Sequence, residues 1–176
     1  DKSIIEKALK FFNEKNVDYL SNVLDRTYPD GLDVEVFSYQ TLKKTYEECK
    51  DLLLREHVTP YMKTGYYEKF KTGKFKVYNF KSKYDFSHMR WTLDTEEDYT
   101  FLTKMASQLR KNFHWMEGVI LLTKDFSLLT WNRGISNREG ALSNKNIKSK
   151  NISYEKYIKS NKFFKKASKI VPLASQ

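Results

Sequence analysis

Helix-type and strand-type segments alternate along the first 110 residues of this chain. Apolar residues recur at helical spacing over residues 4–15, which is typical of a helix with one buried face. Residues 17–23 and 33–37 instead alternate from one position to the next, as the residues of a half-buried strand do. This alternation predicts a layered α/β domain, and the 176 residues of the chain suffice for one such domain with a sizeable core.

Local signals predict where the first helices begin and end. Ser3 and Glu6 form a capping-box pattern for a helix over residues 4–15, which Asn16 ends. A second helix is predicted over residues 39–54. We expect it to bury a stripe of four side chains: Leu42, Tyr46, Cys49 and Leu53.

The remaining pattern divides the chain into four regions. Strands are predicted over residues 75–80 and 89–93, followed by a helix that Asp94 or Thr95 caps and that ends near Arg110. The polar composition after this point is typical of a linker. The predicted regions are a main domain (1–110), a small helical tail (111–133), a linker (134–152) and a segment with an amphipathic helix (153–176).

The formal net charge of +10 raises the question of an anionic partner. The excess lies in residues 69–83 and 145–169, and the second stretch is interleaved with Asn and Ser like a solvated helix face. Aromatic residues among the lysines of residues 66–78 could stack on bases. A sheet packed beneath solvated lysines explains them more simply, so we do not expect a nucleic-acid partner.

The expected cellular compartment follows from two features that the sequence lacks, a long apolar run and a pair of cysteines. It has no apolar run of about 18 residues, so we predict no membrane span. Its single cysteine, Cys49, cannot form a disulfide within the chain. A reducing cytoplasm is therefore the expected location.

The segment from Tyr28 to Glu35 concentrates polar groups around an Asp-Gly pair. The simpler interpretation is a turn that leads into a strand. The functional interpretation is a loop in which Asp30, Gly31 and Asp33 present carboxylates and backbone amides to a polar ligand such as a sugar.

Arg55, Glu56 and His57 stand together at the end of the second predicted helix. Arg55 and His57 could satisfy the helix dipole and its last carbonyl groups. Alternatively, Arg55 could bind a carboxylate or phosphate, because its guanidinium matches both in geometry. His57 could act as a general base or a metal ligand. Both interpretations remain open from the sequence.

Asp94 follows a predicted strand and precedes a predicted helix. With Glu97 it forms a capping-box pattern, which would make it structural. The same position, between a strand end and a helix start, is where open α/β sheets bind ligands. Magnesium usually takes one or two carboxylates together with substrate phosphates, so one aspartate can suffice. The sequence does not decide between the two roles.

These clusters, in this order, resemble the spore-coat-polysaccharide type of cytidylyltransferase, a relative of the CMP-sugar synthetases. The most specific match is the run Tyr-Pro-Asp-Gly-Leu-Asp-Val-Glu-Val-Phe over residues 28–37. Further matches are Arg-Glu-His-Val-Thr-Pro-Tyr over residues 55–61 and the Leu-Asp-Thr-Glu-Glu-Asp run over residues 93–98. Together the matches cover about residues 1–110.

The resemblance implies a nucleotide-sugar-transferase-like fold, with a mixed, mainly parallel sheet and flanking helices. It implies an enzyme that joins CTP to a sugar or sugar acid with Mg²⁺, releases pyrophosphate, serves surface-polysaccharide synthesis and forms a homodimer. Asp94 matches the family's second metal-binding aspartate. The residues expected at the sugar pocket or dimer contact are Tyr28, Asp30, Gly31, Asp33, Arg55, Glu56, His57 and Arg90.

The chain departs from this family at its beginning. The family's triphosphate-binding loop, with Gln-Ala-Arg and Ser-x-Arg-Leu-Pro-x-Lys, and its Asp-Cys-Pro segment are not in the sequence. The resemblance therefore implies the carboxyl-terminal half of such a domain, without the nucleotide-binding half and inactive by itself. Residues 153–176 resemble the opening helix of a class III aminotransferase, which would follow as a further domain.

Two other functions remain as alternatives. The first is a non-catalytic module for sugar binding or dimerisation, which would bind Mg²⁺ and CTP weakly and dimerise firmly. The second is a basic nucleic-acid-binding domain, which would show a steep salt dependence.

Overall fold

The computed structural model describes residues 1–64, 66 and 74–132. The chain divides into two compact units, Asp1–Ser87 and His88–Gln176. We refer to the first as the sheet unit and to the described part of the second, residues 88–132, as the helical unit. The predicted linker over 134–152, the segment 153–176 and its aminotransferase resemblance lie outside the described residues.

The sheet unit begins with helix α1, Lys2–Lys15. Its N-cap is Asp1, whose side chain accepts from the backbone N–H of Ser3 at 2.9 Å. The predicted capping box at Ser3 is therefore wrong, because the carboxylate two residues earlier takes this role. The predicted end is confirmed: Asn16 adopts the left-handed conformation (φ 48°), which turns the chain out of the helix.

A three-stranded sheet follows, in the order β2-β1-β3. Strand β1 (Tyr19–Ser21) lies in the centre, antiparallel to β2 (Glu35–Phe37) and parallel to β3 (Val77–Asn79). All three lie within predicted strand segments but are shorter. The predicted α/β class and mixed sheet are confirmed for the described residues, in which one of the two strand pairings is parallel.

The core of the sheet unit lies on both sides of β1. Tyr19, Met62 and Phe75 form a fully or almost fully buried cluster, against which Phe37 and Tyr61 pack. The aromatic ring of Phe11 on α1 lies 6.2 Å from that of Phe80, centroid to centroid. Strands of three residues form few backbone hydrogen bonds. The packing of aromatic side chains therefore contributes much of the stability of the sheet.

The helix predicted over 39–54 is two helices, α2 (Tyr39–Glu48) and α3 (Leu52–Arg55). The break arises because Asp51 caps a new helix by accepting from the N–H of Leu53 at 2.9 Å. The predicted buried stripe is correct only for Cys49. The small side chains Thr41 and Thr45 occupy the buried face instead. Leu42, Tyr46 and Leu53 are 36%, 70% and 70% exposed. A short helix, α4 (Pro60–Lys63), follows.

The helical unit contains α5 (Glu96–Ser107), α6 (Trp115–Lys124) and a 3₁₀ turn (Phe126–Thr130). The strand predicted over 89–93 does not form, apart from a single bridge residue at Arg90. Gly118 lets the core close tightly: a Cβ there would lie 2.8 Å from Met105 Cε and 2.9 Å from Trp91 Cη2. None of the helices in the described ranges is long and apolar enough to cross a membrane.

Candidate functional site

The predicted sugar-binding loop is centred on an arginine that the prediction did not include. Arg26 lies between two aspartates of the loop. Its guanidinium donates to both carboxylate oxygens of Asp33, with an Nη2–Oδ2 distance of 3.0 Å. Its Nη1 also lies 3.2 Å from Oδ1 of Asp30, which is buried. The structure therefore brings Asp30 and Asp33 together around one positive charge.

The backbone of this loop is fixed by a buried asparagine at the end of β1. Asn22 donates to the carbonyl of Leu32 and accepts from the N–H of Val34, both at 2.9 Å. Gly31 has φ 103°, a conformation that glycine adopts without steric cost. The side chain at position 22 thus holds the segment that leads from Gly31 into β2.

Tyr28 lies at the other side of this loop and is buried. Its hydroxyl accepts a 2.9 Å hydrogen bond from Nζ of Lys7 on α1, and the same ammonium donates to the carbonyl of Lys81. The ring of Tyr28 also packs on Phe80. Tyr28 therefore ties the loop to α1 and to the end of β3.

A second polar centre in the sheet unit surrounds Glu35 of β2. Its Oε1 accepts from the hydroxyl of Tyr19 at 2.7 Å and from Thr59 at 3.2 Å, and lies 2.6 Å from Nζ of Lys63. Burial raises the pKa of the Tyr19 phenol well above its usual range, and the negative charge of Glu35 adds to the effect. Tyr19 therefore remains a hydrogen-bond donor to Glu35 even in alkaline solution, where an ordinary phenol ionises.

Arg55, Glu56 and His57 lie at the end of α3 rather than in the Asp30 loop, and all three are exposed. Arg55 donates to the carbonyl of Tyr46 at 3.1 Å and to that of Cys49 at 2.9 Å. Its guanidinium also lies 5.1 Å from the centre of the Tyr46 ring. Arg55 satisfies the last carbonyl groups of α2, which is the structural role that the sequence left open.

In the helical unit, a buried carboxylate organises the predicted metal-binding region. Asp98 has no exposed surface and accepts from Nε and Nη2 of Arg90 at 3.0 and 2.8 Å. It also accepts from the N–H of Asp94 at 3.1 Å and from Nδ2 of Asn132 at 3.2 Å. Hydrogen bonding to Arg90 above all holds the pKa of Asp98 far below its usual range, so this carboxylate stays ionised.

Asp94 itself remains at the surface. Thr95, not Asp94, caps α5, since the Thr95 hydroxyl accepts from the N–H of Asp98 at 3.2 Å. The capping-box role for Asp94 is therefore wrong. Its side chain is 63% exposed and accepts from Nη2 of Arg90 at 2.8 Å through Oδ2.

A shallow surface depression of about 670 Å³ adjoins this carboxylate. It combines exposed apolar side chains with carboxylates, and its lining consists of Leu93, Asp94, Thr95, Glu96 and Tyr99. A flat apolar molecule can pack on such a surface, and the carboxylates of the surface can coordinate a cation.

The described residues contain no group of three or more His, Cys, Asp or Glu side chains placed to hold a metal ion. Asp94 is nevertheless an exposed carboxylate of the type that binds Mg²⁺. It fits one ligand position of a magnesium ion whose remaining ligands come from phosphate oxygens and water. A stand-alone metal centre does not fit these residues.

Sequence reasoning missed Arg26 and Asn132, and it named Arg90 as a site residue without predicting that Arg90 pairs with Asp94 and Asp98. Arg26 precedes Asp30 by four positions, and Arg90 precedes Asp94 by four, a spacing that signals an ion pair only within a helix. Neither pair lies in one. Asn132 lies 34 positions from Asp98, so no local pattern announced that contact.

The fold is similar to that of a known enzyme. A solved structure of a cytidylyltransferase from Leptospira borgpetersenii superposes with a TM-score of 0.67 and 28% identity. The match covers 78% of this chain and 56% of that one. The described chain thus has a cytidylyltransferase-like α/β fold.

A sequence relative extends this comparison. An uncharacterized protein of Methanocaldococcus jannaschii is 31% identical over 112 residues, which are 62% of this chain and 41% of that protein. No protein-family profile matches the chain. The chain spans about half the length of the two proteins that it matches.

Proposed function

We propose that this chain forms part of a cytidylyltransferase that activates a sugar or sugar acid with CTP for surface-polysaccharide synthesis. The cytidylyltransferase-like fold supports a nucleotidyltransferase-like function. The observation that carries the proposal within the chain is Asp94, an exposed carboxylate that lines a surface depression of mixed polar and apolar character at the start of α5.

The reaction transfers a cytidylyl group. A hydroxyl of the sugar, or the anomeric hydroxyl of a sugar acid, would lose its proton and attack the α-phosphorus of CTP, so that a new P–O bond forms and the bond to the pyrophosphate leaving group breaks. Mg²⁺, with Asp94 as one ligand, would neutralise charge that develops on the phosphate oxygens. As the family resemblance implies, we propose that residues outside this chain hold the triphosphate and that this chain alone has no turnover.

The loop around Asp30, Gly31 and Asp33 is proposed to bind the sugar. Because Asn22 and Arg26 fix its shape, the loop presents carboxylate oxygens and backbone groups without a large ordering cost. A sugar hydroxyl would need to share the Asp33 oxygens with Arg26. Tyr28 supports this loop from the side of α1.

Arg55, Glu56 and His57 are exposed and are proposed to contact the sugar or a second subunit. The surrounding surface favours the second subunit. Six large apolar side chains of α2, α3 and the following turn are exposed, and we call them the α2–α3 face: Tyr39, Leu42, Tyr46, Leu52, Leu53 and Val58.

The area of the α2–α3 face is consistent with a homodimer. Each large side chain contributes roughly 60–200 Å² when buried, so the six supply several hundred Å² per copy. A specific interface needs about 800 Å² per partner, which the flanking charged residues can complete. We propose this face as the dimer contact of a cytoplasmic protein; a buried, free Cys49 is in keeping with reducing conditions.

The catalytic proposal is tested by pyrophosphate release from CTP, with Mg²⁺ and a panel of sugars and sugar acids, in the full-length parent protein. Asp94→Ala should abolish release, whereas Glu97→Gln in the same first turn should retain it. Unchanged release in Asp94→Ala, or equal loss in both variants, would contradict the assignment of Asp94.

The exposed α2–α3 face also supports an assembly module without catalysis as a second candidate. Analytical ultracentrifugation of the wild type and of Tyr46→Ser/Leu53→Ser tests the contact. A dimer that becomes monomeric on substitution supports it. A wild type that stays monomeric at high concentration rejects the homodimer.

A further inference from the structure

Residues 89–93 have the side-chain pattern of a strand without belonging to a sheet. Met89 and Trp91 are apolar and only 3% and 8% exposed, and they alternate with the polar side chains of Arg90 and Thr92. Such alternation is typical of an extended segment that packs one face against a core. Within the described residues, however, the segment forms no ladder with a neighbouring strand.

One edge of this segment is held at two points. In an extended chain the N–H and C=O groups of alternate residues point to the same edge, so the backbone groups of Arg90 and Asp94 lie on one side. The carbonyl of Arg90 accepts from Nδ2 of Asn132 at 2.8 Å. The N–H of Asp94 donates to Oδ2 of Asp98 at 3.1 Å. These two contacts fix the backbone between them.

The opposite edge belongs to Met89, Trp91 and Leu93, and we call it the unpaired edge. No described residue donates to or accepts from the backbone of these three residues. Water has little access to the backbone of Met89 and Trp91, because both residues are almost fully buried. Buried N–H and C=O groups without a partner are rare in folded proteins and unfavourable. The unpaired edge therefore needs a neighbour that the described residues do not supply.

Leu93 indicates that this neighbour is apolar. By alternation its side chain lies on the same face as those of Met89 and Trp91, yet it is 63% exposed. A partner that supplied hydrogen bonds alone would leave Leu93 in water. A strand with apolar side chains of its own would cover Leu93 and pair with the backbone at the same time.

The direction of such a strand follows from the element after the segment. Helix α5 begins at Glu96, close behind Leu93. A strand that leads directly into a helix is the unit from which parallel sheets are built. A neighbouring strand in a sheet of this kind runs parallel to residues 89–93.

We propose that residues 89–93 pair in parallel with a strand from the region of the parent protein that lies outside this chain. The inference rests on the proposed function, in which that region holds the triphosphate. The two similar proteins are long enough to contain such a region, since the matches cover 56% and 41% of their lengths. Main-chain hydrogen bonds give strand addition its affinity, and the two fixed contacts of the segment lower its ordering cost.

Strand addition at the unpaired edge has a consequence for the candidate site. Asp94 directly follows the segment. The carboxyl ends of parallel strands lie at the same edge of a sheet, which is where α/β proteins bind ligands. The residues after the added strand would therefore lie beside Asp94, so the pairing itself would complete the site.

Hydrogen–deuterium exchange of the wild-type protein tests the pairing at single amides. The 176-residue chain is compared with the full-length parent protein by mass spectrometry with electron-transfer fragmentation. The amides of Trp91 and Leu93 should exchange at least about thirtyfold more slowly in the parent, because each would donate to the added strand. The amide of Thr92, which points to the other edge, is the matched control and should change less than about threefold.

Three results would overturn the inference. The first is equal exchange of the Leu93 amide in the two proteins. The second is equal slowing at Trp91, Thr92 and Leu93, which would indicate general burial without strand pairing. The third is protection of Leu93 in the 176-residue chain alone that rises with protein concentration, since a second copy would then occupy the edge.

The parent protein also decides the matter by itself if the shorter chain does not fold, which its amide dispersion in an NMR spectrum would reveal. After correction for intrinsic rates, Leu93 should exchange at least about tenfold more slowly than Thr92 in the parent. Equal corrected rates would reject the pairing.

Pyrophosphate release by the same parent preparation separates this inference from the proposed function. Release from CTP together with rapid exchange of Leu93 would reject the pairing alone. Slow exchange of Trp91 and Leu93 without release would support the pairing and reject the proposed function.

Discussion

Each of the two units places one arginine between two aspartates, but the contacts are distributed in opposite ways. In the sheet unit, Arg26 gives its two-point contact to the outer carboxylate, Asp33, and a single contact to the buried Asp30. Both oxygens of the outer carboxylate are therefore engaged by the guanidinium.

In the helical unit the order is reversed. Arg90 gives its two-point contact to the buried Asp98 and a single contact to the outer Asp94. The outer side chain is accordingly 63% exposed, compared with 36% for Asp33. One arginine and two aspartates thus produce a closed loop in one unit and an available carboxylate in the other.

The largest expected effect comes from removing the inner carboxylate of each group. Asp98→Ala leaves Arg90 without its two-point partner in a buried site, and we expect a loss of about 3–5 kcal/mol in the free energy of unfolding. Asp30→Ala should cost only about 1.5–3 kcal/mol, because Arg26 retains Asp33. Urea unfolding of both variants measures the difference. Equal losses would show that the distribution of contacts does not matter.

Substitution of one glycine in each unit should have a smaller effect on the unfolding free energy. Gly118→Ala crowds Met105 and Trp91 in the helical unit and should cost about 1–3 kcal/mol. Gly31→Ala introduces a side chain at φ 103° in the sheet unit and should cost about 1–2 kcal/mol. Thermal unfolding of alanine and leucine variants distinguishes side-chain crowding at position 118 from backbone strain at position 31. Enlarging the residue to Leu should increase the loss markedly at 118 but little at 31, which is exposed.

The two units should also respond to opposite extremes of pH. The depressed pKa of Asp98 contributes stability above about pH 4, the value of an unfolded aspartate, and this contribution is lost as pH falls towards the folded value. The raised pKa of Tyr19 contributes stability below about pH 10 that is lost as pH rises further.

Amide signals followed by NMR across pH give the measurement. In acid, signals of residues 88–132 should weaken before those of the sheet unit, and in alkali the order should be reversed. Tyr19→Phe should remove this part of the alkaline dependence. Loss of both units together at both extremes would refute the assignment.

The smallest effect is expected at the two outer carboxylates. Asp33→Ala and Asp94→Ala should each leave the unfolding free energy close to that of wild type, since exposed ion pairs contribute little. Urea unfolding of the two variants and of wild type gives the measurement. A large loss of stability in Asp94→Ala would mean that this carboxylate is structural after all.

The sequence predicted the positions of helices and strands better than it predicted which face of each helix is buried. The helix of residues 4–15, the strands around Tyr19 and Val36 and the tail helix from Trp115 follow local apolar periodicity, and all are present. The helix over 39–54 was predicted with the wrong buried face. Thr41 and Thr45 pack inward while larger apolar residues remain outside, and periodicity cannot reveal which stripe finds a partner.

The candidate site shows the same limit. The carboxylates were found because Asp30, Asp33 and Asp94 stand at turns and helix starts, which local patterns reveal. Their partners depend on contacts over longer distances, such as the one between Asp98 and Asn132. The difference between a closed and an available carboxylate is set by those contacts, so it could not be predicted from local sequence.

The arrangement of the small sheet also has a consequence for how the chain reaches its fold. Asn22 at the end of β1 joins Val34, only 12 residues away, whereas Asp18 at its start joins Lys76, 58 residues away. Closing the longer loop costs more chain entropy and brings parallel partners together, which is intrinsically slow. The antiparallel pair should therefore assemble early, and the arrival of β3 should set the folding rate of the sheet unit.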